Sequence, residues 1–453
     1  MVERVLPVKQ RWRALLAWLV IASLASFIVY RNTRPTRVPD ESEITIDDIR
    51  IRVTGEQLIG IKSLGPLAGQ LQTVKLMESQ QRPIAQLEES ARTTSDKIHL
   101  AIIAGEVLGK DQALMRLDAI ENADPRPSDE HLNDIATLRT IYYSTAAGLD
   151  SAGRNQLMKR HDYFARVALS FGVEAGKEPR KSIEAGGIRA TIVLGFVGVA
   201  MLVLLLGGIG FFIGAIVLHS MGKLRRAYVP NPNAGTEYLE GFAIYFVLFI
   251  IGFGLLRRYF GLMSLQWEWL ALLILPVVTF WYSWNGEGSE ERRRALGWHT
   301  GKGVLREVGA GIAGYLAGLV VMIVGFLVTF LLMNRTGSSP EHPLIHILQG
   351  SRWHVLGLYA LVSVFAPVME ETMFRGALFH HMRRKWGWAI SAPVVAFVFA
   401  IIHPQGWVAV PVLGSIAIVL AALREWRGSL IAPMVAHACN NFVVLTFALA
   451  VLR

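Results

Sequence analysis

The sequence predicts an all-α, polytopic membrane helix bundle of about eight core spans, with an N-terminal anchor helix and a small helical soluble domain. Three observations predict it. Hydrophobic residues make up 53% of the 453 and charged residues only 18%, whereas soluble domains are close to a quarter charged. Apolar runs recur in series after residue 189, each near the ~20 residues a bilayer requires. Residues 35–189, by contrast, have a soluble composition with helical spacing of apolar positions.

Residues 1–34 come first. Lys9, Arg11 and Arg13 precede an apolar run from 14 to 30, and Arg31, Arg34 and Arg37 follow it. No small-residue cleavage site ends the run, so it reads as an uncleaved signal anchor. In residues 35–189 the apolar positions Ile98, Ala101, Ile102 and Val107, then Leu138, Ile141, Tyr142 and Ala146, recur with helical spacing. Asp124-Pro125-Arg126-Pro127 marks a turn between helices. The single cysteine, Cys439, excludes an intramolecular disulfide and reads as an apolar filler.

The expected spans are 190–218, 237–256, 264–284, 304–333, 352–372, 388–403, 408–424 and 429–452. They divide into an N-terminal half, 190–349, and a C-terminal core, 350–453. Lys223, Arg225 and Arg226, then Arg292 to Arg294, Arg383 to Lys385, and Arg424 with Arg427 are expected in connections on one side, with Arg257 and Arg258 as the exception. That bias makes the side cytoplasmic and residues 35–189 extracytoplasmic. The net charge of +10 is thereby a sign of membrane orientation, not of nucleic-acid binding. Lipid is the one partner that composition implies; the oligomeric state is not legible.

Charges inside apolar spans are costly and point to function. Glu371 and Arg375 stand four apart, with the glutamate first, the favourable order for a helical ion pair. Glu370 points about 100° away and has no such counter-ion. A desolvated, unpaired carboxylate suits a general base, so Glu370 is the expected base and Glu371 with Arg375 its support. Helices joined near residue 386 bring Glu370 and His403 to one level, roughly 24 Å from the turn. A turn near Trp426 sets His437 and Asn441 roughly 17 and 23 Å in, on one helical face. His380 and His381, beside the basic run, read as interfacial. His299, His342, His346 and His354 read as loop or span-end residues without a role.

No His-Glu, Ser-Gly or Gly-Asp dipeptide occurs, which removes the H-E-x-x-H zinc helix and the usual serine and aspartyl intramembrane signatures. The remaining pattern resembles the CPBP family, which groups type-II CAAX prenyl endopeptidases with bacterial relatives linked to bacteriocin processing and self-immunity. Its E-E-x-x-x-R motif stands as Glu370-Glu371-Thr372-Met373-Phe374-Arg375, its F-x-x-x-H as Phe399 to His403, and its H-x-x-x-N as His437 to Asn441. The resemblance covers about residues 350–453. It implies intramembrane hydrolysis of a peptide bond in a membrane-associated protein or peptide, in a bacterial cytoplasmic membrane. Glu370 would activate water, assisted by His403, while His437 and Asn441 position that water or stabilise the oxyanion. A divalent metal such as zinc on Glu370, His403 and His437 stays open; a metal-independent mechanism is favoured, since asparagine is an unusual zinc ligand. Two other classes compete: a non-catalytic binding or immunity protein of the same fold, and a proton-coupled transporter. The unpaired Glu370 argues against the first, and the lack of an internal repeat against the second.

Overall fold

In the computed structural model the described residues are 8–33, 46–64, 73–230, 235–252, 288–336 and 351–452, with isolated positions between 255 and 282. All regular structure among them is helical. Among the described residues six helices are long and apolar enough to cross a bilayer: Gln10–Arg31, Arg180–Ser220, Val304–Thr336, Arg352–Arg383, Trp407–Arg427 and Ile431–Ala450. Trp388–Ile401 is apolar but shorter. The chain is an integral, multi-pass membrane protein. Of the expected spans, 237–256 is seen as the helix Glu237–Val247 and its π-helical continuation to Gly252. The span 264–284 lies almost entirely outside the described residues, as do His342 and His346.

The chain folds as two compact units, Met1–Arg34 with Ala200–Phe447, and Pro35–Val199 with Ala448–Arg453. In the second unit, helices α2 (Ile46–Leu64), α3 (Thr73–Ser90), α4 (Thr94–Leu108), α5 (Lys110–Glu121), α6 (Asp129–Ser144) and α7 (Ser151–Leu169) follow one another. Helix α4 is its centre. Ile98, Ala101, Ile102 and Val107, the positions singled out by spacing, are buried with Ile51, Leu117, Leu138 and Phe164 in one core. A capping box starts α4: the Thr93 hydroxyl accepts from the Asp96 amide at 3.0 Å, and the Asp96 carboxylate accepts from the Thr93 amide at 2.9 Å.

Helix α8 (Arg180–Ser220) begins in this second unit and ends in the first. Its start is tied to α4 by Arg180 Nη1 donating to Glu106 Oε2 at 2.6 Å. Along α2, Gly60 allows a backbone crossing: a Cβ there would stand 2.0 Å from the Gly187 carbonyl oxygen.

The first unit contains α1 (Val8–Thr33), α9 (Glu237–Val247), α10 (Ser289–Leu296), α11 (Val304–Thr336), the composite helix α12 (Arg352–Arg383), α13 (Trp388–Ile401), α14 (Val410–Arg427) and the greater part of α15 (Ile431–Leu452). Helix α1 packs on α9, and Arg13 pairs with the Glu240 carboxylate. Small residues set the approach of α11 to α14, as is usual in membrane helix pairs: a Cβ on Gly318 would meet Val419 at 2.5 Å, and one on Gly325 would meet the Pro411 carbonyl at 2.6 Å.

One end of this unit is stitched by polar groups. Arg383 forks onto Glu425 at 2.7 and 3.0 Å, and Arg427 Nε donates to Glu307 at 2.9 Å. One sequence expectation is corrected here. Arg424 and Arg427 are not loop charges: both lie in the last turns of α14. Arg424 is fully buried, its guanidinium 4.7 Å from the Tyr228 ring centroid and donating to the Ala295 carbonyl at 2.8 Å. His380 and His381, read as interfacial beside the basic run, are packed inside the bundle. Both are buried, and the phenol of Tyr228 lies 2.7 Å from His380 Nδ1. The aromatic residues of the surrounding core cover them, which spacing from a basic run does not reveal.

Candidate active site

Helix α12 is not regular. It runs as α-helix to Ala360, widens to a π-helix over Leu361–Phe365, returns to α-helix over Ala366–Glu371 and widens again over Thr372–Leu378. Pro367 explains part of this. In the first wide turn the Ala366 amide donates five residues back, to the Leu361 carbonyl. The next amide in that register would belong to Pro367, which has none. The Val362 carbonyl is thus left without its helical donor, and Asn441 Nδ2 fills the vacancy at 2.9 Å. Asn441 therefore lies on α15 one turn beyond His437, with its amide nitrogen committed to the helix that carries Glu370. Its Oδ1 accepts from Asn440 at 3.2 Å.

Glu371 and Arg375 form the expected pair at 2.8 Å, and both side chains are wholly buried. The guanidinium also donates to the Ala417 carbonyl at 3.0 Å and lies 4.7 Å from the Phe399 ring centroid. The same Glu371 oxygen accepts from His437 Nδ1 at 2.9 Å. A carboxylate held by an arginine is an acceptor only. His437 therefore carries a proton on Nδ1, and Nε2 is the nitrogen turned toward Glu370.

His403 reaches the same state by another route. Pro404 disfavours helical conformation at the residue before it, and α13 ends at Ile401. The His403 amide bonds three residues back, to Ala400, at 3.4 Å. That leaves the Phe399 carbonyl among the unpaired acceptors of a helix end, and His403 Nδ1 donates to it at 2.6 Å. Again Nε2 is the nitrogen left facing Glu370.

The two Nε2 atoms converge on one oxygen. Glu370 Oε2 lies 4.0 Å from His403 Nε2 and 3.8 Å from His437 Nε2, and it has no hydrogen-bond partner. Of the six residues singled out in the sequence, Glu371, Arg375 and His437 are directly bonded, Glu370 faces both imidazoles across a gap, and Asn441 braces the frame. Phe399 was missed as a functional residue. Its ring packs on His403 at 4.4 Å and on His437 at 5.9 Å between centroids, with Arg375 over its face. The F of F-x-x-x-H was the available signal, and α-helical i, i+4 spacing places Phe399 beside His403.

The donor set suits a divalent cation in kind: one carboxylate and two imidazoles, each imidazole oriented by a bond from its other nitrogen, as metal-binding histidines are. The spacing is wider than a closed site, since tetrahedral zinc ligands at ~2.0–2.1 Å stand about 3.3 Å apart. Among the described residues no group of three or more such side chains has metal-holding geometry as it stands.

Residues 352–443 match the family model described as type II CAAX prenyl endopeptidase Rce1-like. That segment holds α12 to α14, the larger part of α15 and all six polar residues of the site. No curated protein and no solved structure matches the chain. Over that C-terminal segment the chain is similar to the Rce1-like type II CAAX prenyl endopeptidases.

Proposed function

We propose that the protein is an intramembrane endopeptidase that hydrolyses a peptide bond of a membrane-associated protein or peptide, with Glu370 as the base that activates water. The observation that carries this reading is the convergence of Glu370 Oε2, His403 Nε2 and His437 Nε2 around one gap. A water there meets three acceptors with two protons. Glu370 takes one proton as the oxygen attacks the carbonyl carbon, and it returns that proton to the leaving amine nitrogen. The third acceptor is satisfied only if one imidazole carries a proton on Nε2, and that N–H is placed to donate to the oxyanion. Arg375, Glu371 and Phe399 hold the two rings, and Asn441 holds the register of α12 against α15. A divalent cation on Glu370, His403 and His437 would add Lewis-acid polarisation of the water and carbonyl. The basic groups at 223–226, 292–294 and 383–385 support a cytoplasmic side in a bacterial membrane, with residues 35–189 outside.

The deciding comparison uses wild type and Glu370→Gln purified in detergent against a library of membrane proteins. Cleavage by the wild type and its loss in the variant is the expected result; equal cleavage by both removes the assignment. Metal analysis of the same two samples decides the cofactor.

A further inference from the structure

The second unit contains a chain of buried groups that the peptidase reading leaves unused. Asp48 of α2, His99 of α4, His161 of α7 and Asp134 of α6 are joined in a row. Asp48 Oδ1 lies 2.6 Å from His99 Nδ1, His99 Nε2 lies 2.9 Å from His161 Nδ1, and His161 Nε2 lies 3.1 Å from Asp134 Oδ2. His99, His161 and Asp134 are buried. The His99 ring stacks on Phe164 at 3.9 Å with an interplanar angle of 8°, so it cannot turn freely to change partners.

The count of protons on this row is fixed by geometry. Each terminal carboxylate accepts, so His99 Nδ1 and His161 Nε2 must both carry protons. The central nitrogen pair needs one proton between its two atoms. Two rings therefore share three N–H groups, one more than two neutral imidazoles possess. With a fourth proton the central contact becomes N–H against N–H at hydrogen-bond distance. With only two protons it becomes lone pair against lone pair, or a carboxylate loses its donor. One protonation state satisfies the row.

We propose that the His99–His161 pair is a proton-binding site of the second unit, holding a single shared proton between Asp48 and Asp134, and that the packing of α2, α6 and α7 on α4 depends on it. The surroundings suit that role. Asp47 and Arg50 of α2, Arg92 ahead of α4, and Asp96 of α4 surround the Asp48 end. Arg160 of α7 donates to Asp134 at 3.1 Å and lies 3.9 Å from Glu130 of α6, and His131 of α6 bonds Ser128 and Ser95. From α3 and α5 the same core receives Ile84, Leu87, Ala113 and Leu117. Burial pushes the His99 imidazole below its ordinary range despite Asp48. Immediately after His161, Asp162 has φ of 34° inside α7, a left-handed conformation that a non-glycine residue holds only when its surroundings impose it.

The test uses the full chain in detergent. Deuterium exchange at the imidazole carbon of each histidine, read by mass spectrometry from about pH 4 to pH 9, gives individual titrations in the range where imidazoles change charge. The expected result is a coupled pair with two steps at least about one pH unit apart, one above and one below the ordinary midpoint. Backbone amides of α2 and α7, corrected for intrinsic exchange, should lose protection about tenfold on either side of the plateau between the steps. His161→Gln should leave His99 with a single step and remove the alkaline loss of protection. If both wild-type rings titrate independently at one ordinary midpoint, the proposal fails, whether or not the variant folds. So it does if amide protection in α2 and α7 is the same across the range.

Discussion

At the scale of the residue, the site's chemistry is set by which nitrogen of each imidazole is occupied. Both Nδ1 atoms have fixed acceptors, the Phe399 carbonyl and the Glu371 carboxylate, so both Nε2 atoms face Glu370. Replacing Glu370 by glutamine should lower kcat about 10²–10⁴-fold, the range for loss of a general base, with the melting temperature in detergent little changed. Glu371→Gln should act differently, because it leaves the buried Arg375 charge without its counter-ion. Such a break costs about 3–5 kcal/mol, and thermal unfolding should show it before activity is assayed. Pro404→Ala separates tautomer from fold. Without proline, α13 can extend by a turn, the His403 amide can claim the Phe399 carbonyl, and Nδ1 loses its acceptor. Activity should fall while stability holds or rises; unchanged kcat would refute that account of His403. That these polar residues would gather was legible in the sequence, because charge in an apolar span is rare and spacing defines faces. Their proton positions were not, since these depend on carbonyls freed elsewhere. Asn441 illustrates the difference: its spacing fits a water ligand, yet the gap that Pro367 leaves at Val362 takes its amide.

At the scale of the element, the two π-helical stretches of α12 matter most. Widened turns concentrate at functional sites, and here they bracket Ala366–Glu371. No periodicity of apolar residues could have located them, because an apolar span is apolar in every register. The spans themselves were legible to within a few residues at most ends, as 304–333 against Val304–Thr336 shows. The ends went wrong where charge was read as loop. Arg424 is buried inside the bundle because it caps carbonyls of neighbouring elements, and only tertiary packing reveals that. Gly297 is the counterpart of Arg424. It has φ of 90°, and a Cβ there would stand 2.2 Å from Arg424 Nη1. Gly297→Ala should therefore destabilise by about 1–3 kcal/mol from backbone strain alone, read as a lower melting temperature. A melting temperature equal to wild type would contradict the packing described.

At the scale of the whole molecule, the two units should respond differently to acid. Burial pushes the Asp134 carboxyl up, but hydrogen bonds from His161 and Arg160 outweigh it and hold the group below its ordinary 3.8. The stability it contributes is present above that value and is lost as pH falls through the folded one. Burial also holds His99 below 6.5, so below 6.5 the unfolded chain takes up a proton that the folded chain does not, and stability falls further. Both signs agree: amides of α4, α6 and α7 should lose protection progressively as pH drops below about 6. The existence of a helical segment here was legible from spacing. Its buried histidine row was not, because His99 and His161 lie far apart in sequence and meet only in the fold.

The locked Nδ1 atoms also decide how the site meets electrophiles. A carbethoxylating reagent needs an imidazole lone pair, and on His403 and His437 only Nε2 offers one, on the side facing Glu370. Each ring should accept a single acyl group, and that adduct would occupy the space of the attacking water. Inactivation should therefore track the first modification at either ring, and hydroxylamine, which strips such adducts, should restore turnover.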